Sequence, residues 1–125
     1  MTVIYRPSNY NFPDHVRGDT FNGVVFTVLV NASPVDFTNA ILTMDLRPLG
    51  GGDVVKTFTT IDSGGLTIQD PPTSGKFSLD QQIIDLPSAT YEYDIEMDFS
   101  NGVVKTYIGG TWTILQDVTH GTETN

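Results

Sequence analysis

The chain has 125 residues, no cysteine and a formal charge of -9 from fifteen acids against six bases. That leaves room for one domain and excludes disulfides and thiolate metal sites. The acidic balance opposes binding to phosphate-rich nucleic acid. No stretch approaches the ~18 consecutive apolar residues of a membrane helix.

Residues 1–18 form an irregular opening, in which Tyr5, Tyr10 and Phe12 are interleaved with Pro7, Asn9 and Pro13. Proline fixes its own φ and disfavours helix in the residue before it, so an extended N-terminal arm is expected, packed on its own domain or on a neighbouring subunit. Met1 to Pro7 has neither the basic start nor the apolar core of a signal peptide. The lack of cysteine also fits folding in a reducing cytosol.

Strand patterns fill residues 19–119. Phe21 to Val30 places Phe26, Val28 and Val30 on one face and Val25, Thr27 and Leu29 on the other. Asn31-Ala32-Ser33-Pro34 reads as a turn into a short strand at Val35 to Thr38. Ala40, Leu42, Met44 and Leu46 alternate with Thr43, Asp45 and Arg47, and Pro48 to Asp53 reads as a flexible loop at one end of the sheets. Strands are expected at Val54 to Thr60, Leu66 to Gln69 and Lys76 to Asp80, separated by Gly/Pro/Asp turns. Gln81 to Leu86 is the one segment that suits a helical turn.

Tyr91 to Phe99 alternates apolar and acidic at every step, which predicts a strand with one buried and one wet face. Ser100-Asn101-Gly102 predicts a tight hairpin into Val103 to Ile108. Gly109-Gly110 predicts a bulge before Thr111 to Val118, and residues 120–125 form a polar tail. About eight or nine short strands of this kind imply an all-β fold, an antiparallel immunoglobulin-like β-sandwich with Trp112 in its core.

The candidate chemistry is thin. Glu92, Asp94, Glu96 and Asp98 form an acidic ladder with carboxylates about 6.8 Å apart. That is near glycosidase spacing, but any strand with acids on one face reproduces it. Read as a calcium loop from Asp94, the ladder has Phe99 where glycine is needed and Lys105 where glutamate is needed. A looser calcium site among Asp53, Asp62 and Asp70 stays open. His15 and His120 lack zinc-ligand partners in sequence, and Gly50-Gly51-Gly52 lacks the lysine of a phosphate-binding loop. No nucleophile is paired with a base, so no enzyme activity and no cofactor are expected. Arg17-Gly18-Asp19 reads as a structural turn, and Asn31-Ala32-Ser33 fits the glycosylation pattern only in a secretory context.

Several segments occur in a distinctive order: Arg17-Gly18-Asp19-Thr20-Phe21, Pro34 to Ala40, Gly75 to Asp80, Leu86 to Ile95, Ser100 to Tyr107, and Gly110 to Thr119. This order resembles small immunoglobulin-like domains of tailed bacteriophage structural proteins, closest to the N-terminal domain of upper-baseplate and tail-fibre proteins. The resemblance implies a non-enzymatic virion protein, assembled in the host bacterial cytoplasm, that acts as an adaptor or attachment module in the tail, baseplate or fibre. Its partners would be other virion structural proteins, with a homo-oligomer expected and neither nucleic acid nor membrane involved. A capsid decoration protein and a carbohydrate-binding module for host-surface glycans are the alternatives. The expected contact residues are Tyr5, Tyr10 and Phe12 of the arm and Gly50, Gly51, Gly52 and Asp53 of the loop, because aromatic residues anchor interfaces and exposed loops reach neighbours.

Overall fold

The computed structural model describes residues 2–4 and 8–118. Apart from 3-10 turns at Ile61–Ser63 and Pro72–Ser74, its regular structure is all β. In chain order the strands are β1 (Thr2–Ile4), β2 (Ser8–Asn9), β3 (His15–Val16), β4 (Thr20–Phe21), β5 (Val24–Val30), β6 (Ser33–Pro34) and β7 (Ile41–Pro48). They continue with β8 (Lys56–Thr59), β9 (Leu66–Ile68), β10 (Lys76–Leu79), β11 (Gln82–Ile83), β12 (Ala89–Asp98) and β13 (Val104–Leu115). One sheet runs β1-β5-β10-β9 with β6 beside β5, and the other β2-β13-β12-β7-β8 with β3 beside β13. A small ladder joins β4 to β11. The strands outnumber the eight or nine expected because two-residue ladders form along the arm and the turns.

Strand ladders are antiparallel except where the arm takes part: β1 runs parallel to β5, and β2 and β3 run parallel to β13; a lone parallel bridge also joins Thr59 to Gly65. The arm therefore starts on one sheet and finishes on the other. Period-two alternation positions the rest. On β12, Tyr91, Tyr93, Ile95 and Met97 are buried while Asp94, Glu96 and Asp98 face water. On β7, Leu42, Met44 and Leu46 are fully buried. With Phe26 and Val28 of β5 and Phe77 and Leu79 of β10, they build one apolar cluster supplied by both main sheets.

The arm is part of that cluster. Phe12 is 5% exposed and stacks on Trp112 with ring centroids 4.3 Å apart. Its ring also meets Tyr93 at 5.2 Å and Phe26 at 6.3 Å. The backbone follows β13 closely: Tyr10 N donates to Gly109 O at 2.9 Å and Phe12 N to Thr111 O at 2.9 Å. Asn11 Oδ1 accepts from Thr111 N at 3.0 Å. A Cβ on Gly110 would run into the Tyr10 carbonyl, so only glycine admits the crossing chain here.

Three expectations need correcting. The bulge is not at Gly109-Gly110: Ile95 pairs with Ile108 but Glu96 with Thr106, which makes Tyr107 the extra residue. The shift lets adjacent Tyr107 and Ile108 both turn inward, where both are buried. Val35 to Thr38 is not a strand, because Asp36 Oδ1 accepts from Thr38 N at 2.9 Å and curls the segment while Phe37 drops into the core. Gln81 to Leu86 is not helical, because Gly18 N donates to Ile84 O at 2.8 Å and β11 pairs with β4.

Other turns follow their residues. In the hairpin after β12, Gly102 N donates to Phe99 O and Phe99 N to Val103 O, both at 2.9 Å, with Gly102 at φ 86. That is a three-residue loop closed by a left-handed glycine. Arg17-Gly18-Asp19 is a turn as expected, held by Arg17 Nε donating to Asp85 Oδ1 at 2.9 Å. Asn31 and Ala32 both have positive φ, at 51 and 66, and connect β5 to β6 as a two-residue hairpin turn.

Phe12→Ala should cost about 3 kcal/mol in urea unfolding, the usual penalty for emptying a buried aromatic site. Val118→Ser, at a residue 87% exposed, should stay within about 0.5 kcal/mol of the parent. Ala32→Gly should raise stability by about 1 kcal/mol by relieving left-handed backbone at a residue with a Cβ, read as a higher urea midpoint with an unchanged slope.

Candidate functional site

The sequence points to two contact regions, and the fold separates them. The arm lies along β13 and the Gly50 to Asp53 loop joins β7 to β8, so they sit toward opposite edges of the second sheet. Tyr5 lies outside the described residues. Phe12 is corrected from contact residue to core residue, since its ring is spent on Trp112. Tyr10 is half-buried, edge-on to Phe12 at 5.0 Å and Phe26 at 5.6 Å, and its carbonyl accepts from Tyr93 Oη at 2.5 Å. Among the described residues, then, the arm's aromatics serve the chain's own core.

The loop is different. Every residue from Leu49 to Thr57 is exposed. Gly50, Gly51 and Gly52 have φ of 94, 107 and 128, and a Cβ on Gly50 or Gly51 would meet open space. These glycines are there for the backbone path, not for packing. The path is also fixed: Gly51 N donates to Pro48 O at 3.0 Å, Gly50 N to Glu92 Oε1 at 2.9 Å, and Arg47 Nη1 to Gly52 O at 2.7 Å. Glu92 and Arg47 are cross-strand partners in the β12–β7 ladder, so the sheet holds the loop from two adjacent positions. Asp53 lies exposed beyond this tether.

Sequence reading missed both tethers and the apolar residues around them. Leu49 is 58% exposed, and Val54 and Val55 follow Asp53 with their side chains in solvent. Val55 leads into Lys56, which lines a groove of about 170 Å³ with Phe58, Ile83, Ile84, Asp85 and Leu86. Ile83 is 65% exposed at its rim, and Lys56 Nζ stands 5.4 Å from the Phe58 ring centre. The signal available in sequence was an apolar residue on each side of the glycine run, Leu49 before it and Val54-Val55 after it.

The acidic ladder lines an open hollow of about 290 Å³ with Asp45, Arg47, Glu92, Tyr93, Asp94 and Glu96. Of the ladder's carboxylates Glu92 holds the loop, and beside it on β7 Asp45 Oδ1 accepts from Thr57 Oγ1 at 2.6 Å. Among the described residues no group of three or more His, Cys, Asp or Glu side chains converges to hold a metal ion, and Asp53, Asp62 and Asp70 do not gather. His15 Nε2 lies 2.9 Å from Asp19 O, inside the turn after the arm. Described aromatic rings are buried or half-buried, so none forms an exposed stacking platform for a sugar. No protein-family model and no curated protein matches this chain.

Burial pushes the Tyr93 phenol well above its usual range, with a smaller push from neighbouring Tyr10, and burial also raises Tyr91. A raised phenol pKa means the folded state keeps protons that the unfolded state gives up, so stability is whole below about pH 10 and falls as pH climbs toward the folded value. Urea midpoints measured from pH ~9 to pH ~11 should therefore decline, and Tyr93→Phe should flatten the decline while costing about 1 kcal/mol at neutral pH for the lost hydrogen bond.

Proposed function

We propose that this chain is an immunoglobulin-like β-sandwich working as a structural adaptor in the tail, baseplate or fibre of a tailed phage, where its β7–β8 loop docks on neighbouring subunits. The sandwich reading is supported by strand order. β1-β5-β10-β9 against β13-β12-β7 follows the ABED-over-CFG arrangement, and β8 takes the extra position beside strand C. A second support is Tyr91 at the start of β12, whose hydroxyl donates to Pro87 O at 2.6 Å, as in the tyrosine corner of that fold. The phage assignment rests on the order of segments from Arg17 to Thr119 described above.

One observation carries the docking role. On a strongly acidic chain, Leu49, Val54 and Val55 stand in solvent around a loop whose backbone is already fixed by Arg47 and Glu92, and Ile83 is exposed at the groove that Lys56 lines. A preordered loop loses little entropy on binding, and uncovered apolar side chains supply the burial. Repetition in a symmetric assembly multiplies such contacts through effective concentration. A decoration protein would use the same fold on the head, and exposed aromatics for glycan binding are absent among the described residues.

The test combines location and surface. A labelled chain imaged on intact particles should appear on the tail; label on the head would overturn this reading in favour of decoration. Leu49→Ser with Val55→Ser should lower particle incorporation by about tenfold with the melting temperature unchanged, the scale expected for losing two apolar anchors at an interface. Full incorporation of that variant would remove the loop from the contact.

A further inference from the structure

We propose that Asn22 is a site of spontaneous, fold-selected deamidation, while the chain's other Asn-Gly pair, Asn101-Gly102, is protected by the fold. The chemistry is a backbone attack. The Gly23 amide nitrogen bonds to Asn22 Cγ, its proton passing to hydroxide, while the Cγ–Nδ2 bond breaks and the leaving nitrogen takes a proton from water to depart as ammonia, regenerating hydroxide. Water then opens the resulting cyclic imide at either carbonyl, giving aspartate or isoaspartate at position 22. Glycine after asparagine is the least hindered arrangement for that attack, because no Cβ stands beside the nucleophilic nitrogen.

The two pairs are equal in sequence and unequal in structure. At the hairpin, Gly102 N donates to Phe99 O at 2.9 Å and Asn101 Oδ1 accepts from Val103 N at 3.0 Å. Both the nucleophile and the electrophilic amide are thus engaged, and both bonds must open before the ring can close. Asn22 lies exposed in the link between β4 and β5. Among the described residues its side chain has no hydrogen-bond partner, and neither has the Gly23 N–H. Opening two solvent-facing hydrogen bonds slows Asn101 by about tenfold relative to Asn22.

The product has a place to act. Asn22 lies two residues before Val24, where the pairing of β5 with β10 begins. Isoaspartate there adds a backbone carbon to a two-residue link, and either product adds a negative charge. The modification therefore ages the molecule at the point where the β4–β11 ladder joins the main core.

The experiment is peptide mapping of the full chain, with isoaspartate detection, during warm incubation at mildly alkaline pH. The folded chain should convert Asn22 about tenfold faster than Asn101, and Asn22→Gln should abolish the main product. In concentrated urea the two rates should converge, since the difference belongs to the fold. Faster or equal conversion at Asn101 in the folded chain, no conversion at Asn22, or a rate ratio unchanged by urea would each overturn the proposal.

Discussion

The stack of Phe12 on Trp112 is the contact on which the rest of the molecule leans. Trp112 is 1% exposed, and its indole nitrogen is buried without an acceptor among the described residues. An unmade hydrogen bond of that kind costs about 1–3 kcal/mol. The offset comes from the aromatic surface around it, with Phe12 above and Phe21 at 5.2 Å. Phe12 can reach that position only because Gly110 has no side chain where Tyr10 passes. The arm's ladders also occupy β5 and β13 along sides that would otherwise stand as open sheet edges, which are templates for unwanted pairing.

At the other edge of the second sheet, stiffness is provided in another way. One acid of the ladder, Glu92, serves as a tether, together with two charged residues of the neighbouring strand. Glu92 gives an oxygen to the glycine loop, its cross-strand neighbour Arg47 gives a donor, and Asp45 holds Thr57 of β8. Charged residues on this face thereby tie β7, β8 and their connection to β12. A loop of three glycines would wander if left alone; tethered, it presents Leu49, Val54 and Val55 in a defined arrangement.

Legibility in the sequence followed the reach of the forces involved. Alternation along β7 and β12 reports burial of every second residue, a local consequence of strand geometry, and Leu42, Met44, Tyr93 and Ile95 lie inward; on β5, apolar on both faces, it grouped Phe26 with Val28 without choosing the buried side. Errors arose where a residue's partner is distant or is a backbone group. Asp36 curls its own segment by binding Thr38, which no hydropathy pattern registers. Gln82-Ile83 becomes extended because Gly18 and Phe21 wait for it some sixty residues earlier in the chain. Gly109-Gly110 reads as a bulge because glycine within a strand has two explanations, and the crossing backbone that selects the other belongs to the arm. At the candidate site, the loop was legible from its glycines and its apolar flank from Leu49 and Val54-Val55; its tethers were not, since they depend on the register of β12 against β7.

The arm's parallel ladders impose an order of events on the nascent polypeptide. Asn11 finds Thr111 across a sequence separation of 100, so the arm, made before β13, completes its contacts only after β13 has been synthesised. Until then Phe12 has no indole to cover it, and the unfinished core stands open to the ribosome-bound chain's surroundings. Such long-range closure is slow and belongs late in assembly of the native state. Docking of the arm is thus a closing latch, set after both layers exist, and the interval before it is when a co-translational chaperone would find the greatest purchase.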